Sequence, residues 1–116
     1  MPYVDGFVIP VPKDKIEAYK ELAHKARDVW MEYGALSFVE CLGDDVPYGD
    51  LTSFPRAVQL KEDEIVGFSW IVYESRESRD AVNAKVMADP RMQPGPGMPF
   101  DGKRMIFGGF VPFLEV

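Results

Sequence analysis

The chain has 116 residues, of which 47% are hydrophobic and 28% charged, and its net charge is −6. This balance excludes a mostly disordered chain, and neither half carries the basic excess that tracks nucleic acid or an anionic membrane. There is no apolar run of membrane-spanning length, no secretion signal opens the sequence, and the single cysteine, Cys41, cannot close an internal disulfide. The expectation is a cytoplasmic protein forming one domain over residues 1–116, with no membrane contact.

Residues 3–11 are rich in β-branched and aromatic side chains and predict a strand that Pro10 and Pro12 end. Residues 13–33 predict a helix. Ile16, Tyr19, Ala23, Ala26, Trp30 and Tyr33 fall on one face, Asp14 and Glu17 resemble a capping arrangement, and Gly34 is a natural stop. Residues 35–43 predict a second strand, followed by an acidic loop (Asp44, Asp45, Asp50) and an ambiguous segment at 52–60 with a short helical turn after Pro55. Residues 64–74 form the clearest strand. Ser75 then caps a second helix that runs to Ala88 and is closed off by Pro90. A loop with prolines at 90, 94, 96 and 99 precedes a last strand over 104–114, in which Gly108 and Gly109 suggest a bulge or a close backbone approach.

This order is βαββαβ, an α+β, ferredoxin-like arrangement: a four-stranded antiparallel sheet with two helices on one face. The strands are apolar on both faces. Val66, Phe68, Trp70 and Val72 alternate with Ile65, Gly67, Ser69, Ile71 and Tyr73, and Ile106, Gly108 and Phe110 alternate with Met105 and Phe107. Two helices cover only one face, so the other predicts a homodimer joined sheet to sheet.

Several stretches also resemble the YbaA-like family of uncharacterised bacterial proteins. They include Tyr3-Val4-Asp5-Gly6-Phe7, Val39-Glu40-Cys41, Asp45-Val46-Pro47, Phe68-Ser69-Trp70, Ala88-Asp89-Pro90-Arg91-Met92 and the long run from Met98 to Phe110. The resemblance spans nearly the whole chain. It implies membership of the dimeric α/β-barrel superfamily, in which two ferredoxin-like protomers pair through their sheets. That superfamily holds cofactor-independent monooxygenases, heme-degrading enzymes, isomerases and proteins without known activity. The resemblance therefore implies a fold and a dimer but no reaction, and no catalytic residue is carried over.

The candidate chemistry comes from polar residues in apolar settings. Asp5 and Glu40 are carboxylates inside otherwise apolar strands and are the acid–base candidates, unless strand twist exposes them or a cation pairs with them. Arg79 shares a helix face with Val82 and Val86 and calls for a carboxylate partner. Lys103 and Arg104, beside Asp101, could hold an anionic group or tie down the long loop. Trp70 and Phe38, with Phe68 and Phe107, could line a pocket between sheet and helices or serve as packing. His24 faces solvent and Cys41 reads as a buried structural thiol. No motif calls for a metal or cofactor. Met92, Met98 and Phe100 in the long loop need a surface to cover, either a pocket mouth or a dimer interface.

A protein that binds or transforms a small, partly apolar metabolite is the leading expectation, with a non-catalytic dimeric interaction or regulatory module as the alternative. RNA binding is disfavoured by the net charge and by the lack of a basic–aromatic motif.

Overall fold

In the computed structural model, which describes residues 1–93, 95 and 97–115, the elements run β1 (Tyr3–Pro12), α1 (Ile16–Glu32), β2 (Ser37–Leu42), α2 (Phe54–Ala57), β3 (Glu64–Tyr73), α3 (Arg76–Ala88) and β4 (Ile106–Phe110). The strands form one antiparallel sheet in the order β2-β3-β1-β4. This is the α+β, ferredoxin-like architecture that the element order predicts, with α2 as a short addition between β2 and β3.

Local chemistry sets most boundaries. The Ser75 hydroxyl accepts from the Ser78 N–H and starts α3. Gly34 adopts a φ of +118° just beyond α1, a conformation open to glycine. The Ser53 hydroxyl accepts from the Arg56 N–H, so α2 begins at Phe54, one residue before Pro55. Residues 13–15 form a 3-10 turn ahead of α1, and no side-chain cap bond holds the start of either element, so the Asp14–Glu17 cap does not form.

Two strand expectations need correction. β1 continues through Pro10 and Pro12, because β4 pairs only with Val4–Val8 and the rest of β1 has a partner on one side alone. A strand bordered on one side tolerates a residue without an N–H. β4 is shorter than 104–114: Arg104 is engaged by carboxylates before it, and Pro112, which has no N–H to donate, lies beyond it.

The helices α1 and α3 cover the sheet face bearing Tyr3, Asp5, Phe7 and Ile9, and a core of Val29, Ala35, Ile71, Tyr73, Val82 and Val86 forms between the layers. Part of the opposite face is also covered: Val8 and Val66 pack against Val58, with Val46 and Leu60 beside them. The rest stays bare. Phe68 is 42% exposed, Ile106 44% and Phe110 63%, and the chain beyond β4 projects Phe113 at 97% exposure. Cys41 lies on this open face and is exposed, which corrects the expectation of a buried thiol. β2 is an edge strand, and Cys41 sits opposite Phe68 rather than under a helix.

Candidate functional site

The register aligns side chains in rows across the helix-covered face. One row runs Glu40–Ser69–Phe7–Phe107 through β2, β3, β1 and β4; the next runs Phe38–Ile71–Asp5–Gly109. Directly opposed residues have Cβ atoms about 5 Å apart, so Glu40 and Ser69 are immediate neighbours. These rows floor a cavity of about 380 Å³. Tyr19, Ala23, Ala26 and Trp30 of α1 and Asn83 and Met87 of α3 roof it. Met92, Met98 and Phe100 from the long loop close its side, with Met105, which gives those loop residues the covering role their sequence calls for. Pro94 and Pro96 of the same loop lie outside the described residues.

Two polar systems meet in this apolar chamber. In the first, Arg79 reaches from α3 to Asp5 at 2.7 Å and to Asp80 at 2.7 Å, with its guanidinium 4.8 Å from the centre of the Tyr3 ring. Asp5 is 4% exposed. Burial raises its pKa, against the opposing pull of Arg79. The expected cation partner is therefore present, and Asp5 is held in an ion pair. Beside it, the Trp30 indole N–H lies 3.1 Å from both the Tyr73 hydroxyl and Asn83 Oδ1, and the Tyr73 hydroxyl donates to Asn83 Oδ1 at 3.2 Å. Burial and the nearby Asp5 charge push the Tyr73 phenol well above its ordinary pKa.

In the second system, the Tyr19 hydroxyl donates to Glu40 Oε1 at 2.6 Å. Burial raises the Glu40 pKa and the Tyr19 bond partly offsets this; burial and the Glu40 charge raise that of Tyr19. Glu40 forms no ion pair among the described residues. Glu40 is exposed on the edge strand β2, so water still reaches it, but the chamber side chains around its carboxyl raise its pKa, which equips it to hold or move a proton.

The structure brings Glu40, Asp5, Arg79, Phe38 and Phe107 together at the cavity and leaves Trp70, Phe68, Asp101, Lys103 and Arg104 outside it. Trp70 belongs to the opposite face, because it alternates with Ile71 along β3, and it packs 5.7 Å from Phe68. Asp101, Lys103 and Arg104 are absent from the cavity wall. Arg104 is clamped by Glu64 at 2.5 Å and Asp101 at 2.8 Å and also donates to the backbone carbonyls of Val58 and Gln59. The Lys103 backbone N–H donates to Asp101. Arg104 and Asp101 tie the loop down through these bonds, and Lys103 joins them through its backbone N–H while its side chain is exposed. Sequence reasoning missed Tyr19, hidden in an apolar stripe, and Ser69, whose signal was a small polar residue on an otherwise apolar strand face. His24 is exposed, as its place on α1 predicts. No group of three or more His, Cys, Asp or Glu side chains converges on a metal-sized site among the described residues, and none of the described helices is long and apolar enough to cross a membrane.

Comparison with known proteins gives a consistent picture. The uncharacterised protein YbaA of Escherichia coli K12 is 56% identical over 116 residues, covering 99% of both chains, and that of Shigella flexneri gives the same figures. Among solved structures, a dimeric ferredoxin-like protein from an uncultured marine organism superposes with a TM-score of 0.61 at 14% identity, covering 100% of both chains. Residues 2–102 match the model of a family described as protein of unknown function, DUF1428. With this match and the near-complete alignment to YbaA, the chain belongs to the DUF1428 family.

Proposed function

We propose that this protein binds a small, partly apolar molecule in the chamber between the sheet and α1 and α3, with Glu40 as the group that holds or moves a proton there. The observation that carries this reading is the cavity of about 380 Å³, walled by aromatic and methionine side chains around the Glu40 carboxyl, which has no cation partner among the described residues. Ligand sites combine apolar walls with a few placed polar groups in this way. Asp5 and Arg79 support the far wall as a closed ion pair.

The working form is a homodimer joined through the open sheet faces. The bare side chains of Phe68, Ile106 and Phe110 support this, and so does the dimeric state of the ferredoxin-like neighbour. A single free cysteine suits the reducing cytoplasm as the place of work.

The test uses Trp30, which lines the cavity and is one of two tryptophans. In a Trp70→Phe variant it is the sole indole. Titration with the neutral apolar fluorophore N-phenyl-1-naphthylamine is expected to quench Trp30 saturably, and Ala23→Phe, which fills the chamber from α1, is expected to abolish the effect. Quenching that is absent, or unchanged by the filling substitution, overturns the proposal.

A further inference from the structure

We infer that the ligand is a neutral apolar molecule carrying a hydroxyl group, seated with that hydroxyl between Ser69 and Glu40 and its body among the aromatic and methionine side chains. This rests on the cavity reading above and narrows it to one chemical class.

Ser69 sits in the middle of β3, lines the chamber and is 3% exposed. Its hydroxyl enters none of the side-chain hydrogen bonds among the described residues. No sealed side-chain nitrogen or oxygen among those residues lacks a partner, so the Ser69 oxygen is not sealed and meets the chamber space. A buried polar group without a protein partner calls for an explanation. In an apolar chamber, such a group fixes the orientation of what binds there.

The neighbouring polar groups are taken. Arg79 pairs with Asp5 and Asp80. Asn83 Oδ1 accepts from the Trp30 indole and the Tyr73 hydroxyl, and Asn83 and Tyr73 both help to hold the Asp5 carboxylate. The Tyr19 hydroxyl donates to Glu40 Oε1. Ser69 is left for a guest.

Glu40 decides what fits beside Ser69. The two face each other across β2 and β3, with Cβ atoms about 5 Å apart, and form no direct hydrogen bond. Glu40 is exposed, so water solvates its charge and no counter-ion is required. Its Oε2 has no partner among the described residues. Between a serine O–H that donates and a carboxylate oxygen that accepts, the complementary group accepts once and donates once, which is a hydroxyl. A carbonyl or ether oxygen accepts from Ser69 but turns lone pairs toward Glu40. An ammonium accepts nothing and would leave the Ser69 proton unpaired. An anionic group would face the like charge of Glu40. Phe7 stands on the other side of Ser69, and Trp30 and Phe38, 5.9 Å apart, extend the apolar bed for the rest of the molecule.

The experiment is isothermal titration of the intact chain with four probes of matched size: 4-phenylbutan-1-ol, 3-phenylpropyl methyl ether, 4-phenylbutan-2-one and 4-phenylbutylamine. The alcohol is expected to bind at least ~10-fold more tightly than each of the others, the worth of one or two well-placed hydrogen bonds. Ser69→Ala is expected to erase the alcohol's advantage while leaving the ether's affinity. Alcohol binding no tighter than that of the ether, the ketone or the amine overturns the hydroxyl class and leaves the cavity reading standing. This comparison is made on the parent protein and does not depend on the folding of any variant. An alcohol preference that survives Ser69→Ala overturns the seat assigned to the hydroxyl. Failure of all four probes while N-phenyl-1-naphthylamine still binds also overturns the hydroxyl class. Failure of that fluorophore as well brings down the cavity reading itself.

Discussion

Arg79 shows how one side chain joins packing to site geometry. It sits on the buried stripe of α3 with Val82 and Val86, yet is tolerated because Asp5 on β1 meets it at 2.7 Å. Removing one member of such a pair leaves the other buried and alone. Arg79→Met is expected to cost roughly 3 kcal/mol at neutral pH in urea unfolding. The loss is expected to shrink in acid, where the orphaned Asp5 takes up a proton, and to be partly recovered in Arg79→Met/Asp5→Asn. Gly109 sets a second constraint: a Cβ there would come within 2.6 Å of the Tyr3 ring, the same ring that lies beneath Arg79. Gly109→Ala is expected to destabilise by about 2 kcal/mol. The penalty is expected to fall in a Tyr3→Ala background, and strict additivity of the two changes would contradict the contact. The Gly108-Gly109 pair signalled a close approach, but the partner lies more than a hundred residues away in sequence and could not be named without the fold.

At the scale of elements, the apolar run of β3 and the Ser75 start of α3 were plain in the residues, because composition and capping are local properties. The lengths of β1 and β4 were not, because the tolerance of Pro10 depends on how far β4 pairs alongside it. Trp70 was misplaced for a related reason. With both faces of β3 apolar, composition could not say which one the helices cover. Arg104 was ambiguous until Glu64 supplied its second carboxylate. That clamp fastens the long loop to the start of β3, and Arg104 holds the Glu64 pKa below its ordinary 4.5. A lowered folded-state pKa gives stability that is complete above the ordinary value and is lost as pH falls through the folded one. Arg104→Met is therefore expected to cost roughly 2 kcal/mol at pH 7, and the gap from the parent protein is expected to close as the pH falls below 4.5. A gap that persists undiminished in strong acid would mean that packing by the arginine stem, rather than the ion pair, holds the loop.

Across the whole molecule, the sheet divides two tasks between its faces. The helix side encloses a chamber with Glu40 and a closed Asp5–Arg79 pair, and the other side presents bare aromatic surface that continues into Phe113 and Leu114. Contiguous exposed apolar surface on this scale marks an interaction face, and a second copy of the same chain satisfies it symmetrically. Because the chamber lies on the opposite face, pairing leaves it available to a ligand. Native mass spectrometry with N-phenyl-1-naphthylamine tests both halves of this account at once. The predicted result is ions at twice the chain mass that carry up to one probe per protomer, and a dimer that carries none when Ala23 is replaced by Phe. Monomers at micromolar concentration, or a dimer whose probe uptake ignores the Ala23→Phe change, would contradict it.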